Sequence, residues 1–248
     1  MDRGLYVAMT GAKQIMQAQA VNNHNIANLS TTGFRADAVA FASEPIYGPG
    51  YATRVNAVAG DSGTDFSMGV MQSTGRDLDI AVNGNGFIAV RGTDGKEAYT
   101  RAGDLRVSPT GDLTTASGFP VLSESGPVVL PPSTTVTIGG DGTVSVVPQG
   151  SAPFAITQVD RIKLVNPKTS GLQKGDDGLL RPKSGGKVKT DDSVSVTSGM
   201  LESSNVNAAQ SLISMIELQR LYEFQIKSIN STDQNEQSAE RLMLSSGA

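Results

Sequence analysis

Residues 204–244 read SNVNAAQSLISMIELQRLYEFQIKSINSTDQNEQSAERLML, and from Asn207 to Leu244 there is neither a proline nor a glycine. Apolar side chains return at three- and four-residue steps, at Ala208, Leu212, Met215 and Ile216, then Tyr222, Ile226 and Ile229. That is the period of one amphipathic α-helix. Asn207 stands where an N-cap belongs, and Gln210 follows three residues on as a capping-box partner. At about 1.5 Å per residue, roughly 37 residues give a rod of about 55 Å. A single apolar stripe on a rod of that length predicts that the helix is stabilised by partners rather than by itself.

The opposite end of the chain repeats the pattern. Leu5, Ala8, Met9, Ala12, Ile15, Met16, Gln19, Asn22 and Ile26 follow the helical step, interrupted by Gly11, which costs about 1 kcal/mol against alanine in a helix interior. All eleven prolines lie between Pro45 and Pro182. Two breaker-free arms therefore bracket a middle of different construction. The expectation is an α+β protein whose N- and C-terminal helices form a coiled-coil-like arm domain around a central, mainly antiparallel β domain. The expected boundaries are 1–35 for the N-terminal arm, combined with 204–248; 36–74 for an extended linker with some strand pairing; 75–198 for the β domain; and 199–248 for the C-terminal connection and arm.

Within the middle, Leu78, Ile80 and Val82 alternate, Asn83-Gly84-Asn85-Gly86 supplies a turn, and 87–90 returns, which predicts a hairpin. Ser108-Pro109-Thr110-Gly111 predicts another turn after Leu105 and Val107. Val136 and Ile138, then Gly139-Gly140-Asp141-Gly142, then Val144 and Val146 predict a second hairpin. Further strands are expected at 156–165, near Leu179 and at 194–196, and an extended piece at 51–58.

Composition narrows the function. The net charge of −4 and the lack of any basic cluster argue against nucleic acid, and no window approaches 18 apolar residues. The N-terminus has no apolar core or cleavage site of a secretory signal. Cysteine is absent, which excludes thiol chemistry. Gly60-Asp61-Ser62-Gly63 imitates a serine-nucleophile motif, yet Thr64 follows and the only histidine, His24, lies on the terminal helix, so the stretch reads as a turn. Gly84 and Gly86 lack the third glycine and the helix of a nucleotide loop. Asp141, Asp176 and Asp177 lack the spacing of a calcium loop. No constellation of catalytic groups, cofactor or small-molecule substrate is implied. A secreted β-rich binding module would account for the middle but leaves both arms idle.

Certain strings go further. Asn25, Ile26, Ala27, Asn28, Thr32, Gly33, Phe34 and Arg35, with His24 where an Asn is usual, resemble the N-terminal signature of the bacterial flagellar rod and hook proteins. So do Asp79–Phe87, Tyr99–Gly103 and 113–121 in the middle, and Ser204-Asn205-Val206, Met215-Ile216, Gln219-Arg220, Tyr222-Glu223 and Lys227 near the end. The opening Met1-Asp2 and the run from Leu5 to Ala12 resemble a proximal rod member, with the distal rod as the nearest alternative. The resemblance implies a structural subunit of the flagellar basal-body rod. It would reach the rod across the periplasm through the flagellar type III export apparatus, without a cleaved signal. Copies of itself, the proximal rod proteins FlgB and FlgC, FliE and the distal rod protein FlgG are the implied partners. The assembly interface is expected at Leu5, Met9, Ala12, Ile15, Met16, Ile26, Asn28 and Phe34, and at Leu212, Met215, Ile216, Gln219, Tyr222, Ile226 and Ile229.

Overall fold

The computed structural model describes residues 4–47, 55–60, 63–150 and 155–246. Tyr51 to Arg54, in the expected extended piece, and Asp61-Ser62, in the expected turn, lie outside them. The chain divides into two compact units, one made of 1–28, 36–65 and 206–248 and the other of 29–35 and 66–205.

In the first unit, helix α1 spans Gly4–Ala27 and helix α2 spans Ala208–Ser246. Asn207 caps α2 as expected: its Oδ1 accepts from the Gln210 backbone N–H at 3.1 Å. The helices run antiparallel, because the Asn22 amide donates to the Ser211 carbonyl (2.8 Å) while Gln225 donates to the Ala8 carbonyl (2.9 Å). The strand Phe41–Pro45 pairs with Val55–Ala59, which packs along α1, and Asp37–Ala38 pairs with Gly63–Thr64. Asn25 is buried and acts as a stretch of backbone, donating to the Asp37 carbonyl (2.8 Å) and accepting from its N–H (2.9 Å).

The expected coiled-coil-like arm is not what forms, and only the α+β class stands. In a coiled coil, large apolar knobs fill the seam between helices. Here small and polar residues, Ala8, Gly11, Ala12, Ser211 and Gln225, interrupt the seam among the half-buried Met215, Leu218 and Tyr222, while Met9, Met16, Leu212 and Ile216 lie on open faces. Gly11 is explained by this close approach: a Cβ added there would meet the Gln225 amide nitrogen at 2.9 Å.

The second unit is antiparallel β throughout. Its largest sheet has five strands in the order Leu164–Val165, Phe87–Arg91, Glu97–Thr100, Leu180–Pro182, Leu172–Lys174. A three-stranded sheet joins Ser133–Ile138, Thr143–Pro148 and Thr157–Arg161. The hairpin across Gly139–Gly142 is therefore present, as is the turn between Leu105–Val107 and Leu113–Thr115. The hairpin expected across Asn83–Gly86 is not. Ile80–Asn83 pairs instead with Ser195–Ser198, and Phe87–Arg91 with Glu97–Thr100 and Leu164–Val165. The turn residues redirect the chain from one sheet to another, and a local signal cannot report which distant strand wins the pairing. The core is apolar and closed, with Ile80, Ile88, Val90, Leu105, Leu113, Val121 and Val128 fully buried. A second cluster gathers Phe87, Tyr99, Val165 and Leu180.

A fully buried ionic group lies inside this unit. The Glu202 carboxylate accepts from Arg35 Nη2 at 2.6 Å, from Arg101 Nη1 at 2.8 Å and from the Gly69 N–H at 2.8 Å. Arg101 also donates to the carbonyls of Val82 and Gly84 and lies over the Phe87 ring. Gly33 has φ +65°, and a Cβ on it would collide with the Arg101 backbone, so the Thr-Thr-Gly-Phe-Arg string needs its glycine twice over.

Candidate assembly interface

At about 100° per residue, the seam side of α2 carries Ser211, Ser214, Met215, Leu218, Tyr222, Gln225 and Ile229, each less exposed than its neighbours. The rest of the first four turns is also apolar. Leu221 and Phe224 lie on one flank of the seam, Leu212 and Ile226 on the other, and Ile216 at the back. Leu212, Ile213, Ile216 and Leu221 are about half-exposed, and Phe224 is 69% exposed. A helix that is apolar on most of its sides is normally one buried on most of its sides. On α1, Tyr6, Met9 and Met16 are likewise exposed by more than half.

On the Leu221 flank these surfaces continue into a groove of about 350 Å³. Its apolar wall is Ala18, Val21, Val39, Phe41, Leu218 and Leu221, and Asn22, Asp37 and Glu217 stand among them. Phe41 is exposed by half. The volume falls in the range of specific pockets, and its lining mixes a broad apolar wall with a few polar groups. Beside it the His24 ring stands 3.0 Å from the Asp37 carboxylate.

Of the residues expected to form an assembly surface, Met9, Met16, Leu212, Ile216, Gln219 and Ile226 lie on open faces. Ala12 is buried, Leu5, Ile15, Ile26, Met215, Tyr222 and Ile229 are half-buried, and Asn28 closes α1 by donating to the His24 carbonyl. Phe34 belongs to the second unit, buried beneath the Lys174 ammonium, 3.8 Å from the ring centre. Sequence reading missed Tyr6, Ile213, Leu221 and Phe224. They fall off the single stripe, and the signal that would have found them is the apolar content of α2 summed around its whole circumference.

Terminal helices with open apolar faces, attached to a closed β body, define the class as a structural subunit of an assembly. Residues 81–146 match the family described as the flagellar hook protein FlgE/F/G D1 domain, and residues 197–242 the flagellar basal body rod FlgEFG protein C-terminal region. The chain is 39% identical to the flagellar basal-body rod protein FlgF of Salmonella typhimurium and 40% identical to that of Escherichia coli K12, each over 98% of this chain and 99% of the relative. It is 34% identical to the flagellar basal-body rod protein FlgG of Buchnera aphidicola, over 93% of this chain and 95% of the relative. The chain belongs to the flagellar basal-body rod protein family. That family is structural and not enzymatic.

Proposed function

We propose that this chain polymerises through the apolar faces of α1 and α2 into the flagellar rod, the shaft that carries motor torque across the periplasm. The observation that carries the reading is the circumference of α2: Leu212, Ile213, Ile216, Leu221 and Phe224 form more apolar surface than the seam with α1 uses. Surface of this kind in one continuous region marks an interaction site. The groove beside Leu218 and Leu221 offers a seat for the large side chains of a neighbouring helix. The neighbours are further copies of the chain and the other rod subunits, FlgB, FlgC, FliE and FlgG, and delivery is through the type III export apparatus.

The test is Ile216→Asp. The residue is half-exposed in a single chain, so the variant should fold with an unchanged unfolding midpoint. In an assembly it would place an unpaired carboxylate in a dry interface at every copy, at a cost of several kcal/mol each. Cells carrying it should export the protein, build incomplete rods visible by electron microscopy of basal bodies, and fail to swim. Full flagella and normal swimming would remove this face from the interface.

A further inference from the structure

The chain holds five steps at which an asparagine or aspartate is followed by glycine: Asn83-Gly84, Asn85-Gly86, Asp94-Gly95, Asp141-Gly142 and Asp177-Gly178. Such a step can react with itself, because the glycine amide nitrogen, unshielded by a side chain, can attack the side-chain carbonyl carbon of the residue before it. The fold restrains four of the five.

At the three aspartates both reacting groups are held. The N–H groups of Gly95, Gly142 and Gly178 donate to the carbonyls of Gly92, Gly139 and Gly175, at 3.0, 2.9 and 3.0 Å. The Lys96 N–H at Asp94, the Thr143 hydroxyl at Asp141 and the Arg181 guanidinium at Asp177 hold the carboxyls below their usual range. They stay ionised, and a carboxylate is a poor target for a nucleophile. Asn83 ends the strand Ile80–Asn83, and its amide donates to the Ser195 hydroxyl and accepts from the Thr197 hydroxyl, both at 3.1 Å. Its side chain is fixed across the strand pair and cannot swing onto its own backbone.

Asn85 is different. It is exposed, no hydrogen bond to another described residue restrains its side chain, and the Gly86 N–H takes no part in backbone pairing with the described residues. Position 86 admits only glycine, since φ is +155° and a Cβ there would meet Val194 at 2.6 Å. The fold thus requires the reactive step and leaves its amide in water, the reagent that completes the reaction.

We propose that Asn85-Gly86 is a self-modification site, at which the folded chain slowly converts its own asparagine to aspartate and isoaspartate. The Gly86 nitrogen bonds to the Asn85 side-chain carbonyl carbon, its proton leaves with the departing ammonia, and a succinimide closes. Water then opens that ring at either carbonyl. One product is aspartate; the other is isoaspartate, whose backbone is one carbon longer. The change falls in the turn that carries the chain from one sheet to the next, beside the Gly84 carbonyl that Arg101 holds.

The purified full-length chain, kept in mildly alkaline buffer and sampled over days, once native and once in denaturant, tests it. Trypsin releases residues 77–91, with both asparagines, and electron-transfer fragmentation assigns a gain of one mass unit to position 83 or 85 and separates isoaspartate from aspartate. In the native chain position 85 should convert at least about tenfold faster than position 83, the rate ratio expected from the two hydrogen bonds that hold Asn83. In denaturant the two should convert at similar rates. Ser195→Ala combined with Thr197→Val should raise the native rate at 83 toward that at 85. Equal native rates at 83 and 85 in the unsubstituted chain, or a native chain unconverted at 85 while the denatured chain converts, overturns the proposal. Both readings come from the unsubstituted chain, so the test survives a variant that fails to fold.

Discussion

In the β unit Ile80, Ile88, Val90 and Leu113 have 0% exposure, whereas on α2 the chemically similar Leu212, Ile213, Ile216 and Leu221 stand at 50–53%. The β unit uses its apolar side chains to hold itself together. The helical unit lines its internal seam with alanine, glycine, serine and amides beside the half-buried Met215, Leu218 and Tyr222, and turns Leu212, Ile213, Ile216 and Phe224 outward. Apolar content therefore measures stability in one unit and, in the assembly proposed above, capacity for association in the other.

Amide hydrogen exchange on the monomer should show the largest contrast. Strands Phe87–Arg91 and Glu97–Thr100 should open only with global unfolding of their unit, while α2 beyond Ile229 should exchange with little protection, a difference of several orders of magnitude. Equal protection in both places would break the contrast. Truncation separates the units next. Leu113→Ala should cost about 2–5 kcal/mol by denaturant titration, and Ile216→Ala under about 0.5 kcal/mol. A cost above about 2 kcal/mol at Ile216 would mean that the helix face is already closed in a single chain. Gln225→Ala removes one cross-seam hydrogen bond and should lower the stability of the helical unit by about 1 kcal/mol, leaving the β unit unchanged.

The smallest effect is a pH dependence confined to the β unit. A side-chain hydrogen bond from Arg181 holds the Asp177 carboxyl below its usual range, against partial burial. A carboxyl whose pKa is lower in the folded state contributes stability above its unfolded value of about 3.9 and loses it as pH falls through the folded value. Asp177→Asn should thus cost no more than about 1 kcal/mol at pH 7, a cost that shrinks as pH falls below about 3.9 and vanishes once the folded-state carboxyl is protonated.

Sequence periodicity located both helices to within a few residues, and turn chemistry located the Gly139–Gly142 hairpin, because each of these is decided by neighbours in the chain. Partner identity was not legible where it is decided at a distance. Asn83-Gly84-Asn85-Gly86 reads as a hairpin turn, yet Val82 pairs with Val196. The three-and-four spacing of Met9, Met16, Leu212 and Ile216 correctly marks residues that share helix faces, but periodicity does not say what covers a face. Small and amide residues between them, such as Ala8, Gly11 and Gln225, share the seam with Met215, Leu218 and Tyr222. Arg35 and Glu202, 167 positions apart, carry no local sign that both are buried together.

The seam of the helical unit joins Ala8 to Gln225 across 217 positions of chain. Closing so long a loop is slow and entropically unfavourable, and folding of the β unit shortens it. Gly33 donates to the Glu202 carbonyl and Asn205 to the Phe34 carbonyl, so once that unit has formed, the loop left to close is about 46 residues, a saving of about 1.4 kcal/mol in closure entropy. The β unit is in this sense a splint, and the order of events follows from connectivity: local hairpins first, the helical pair last. α1 can meet the strands at 37–59 early, but its helix partner arrives only after about 180 further residues.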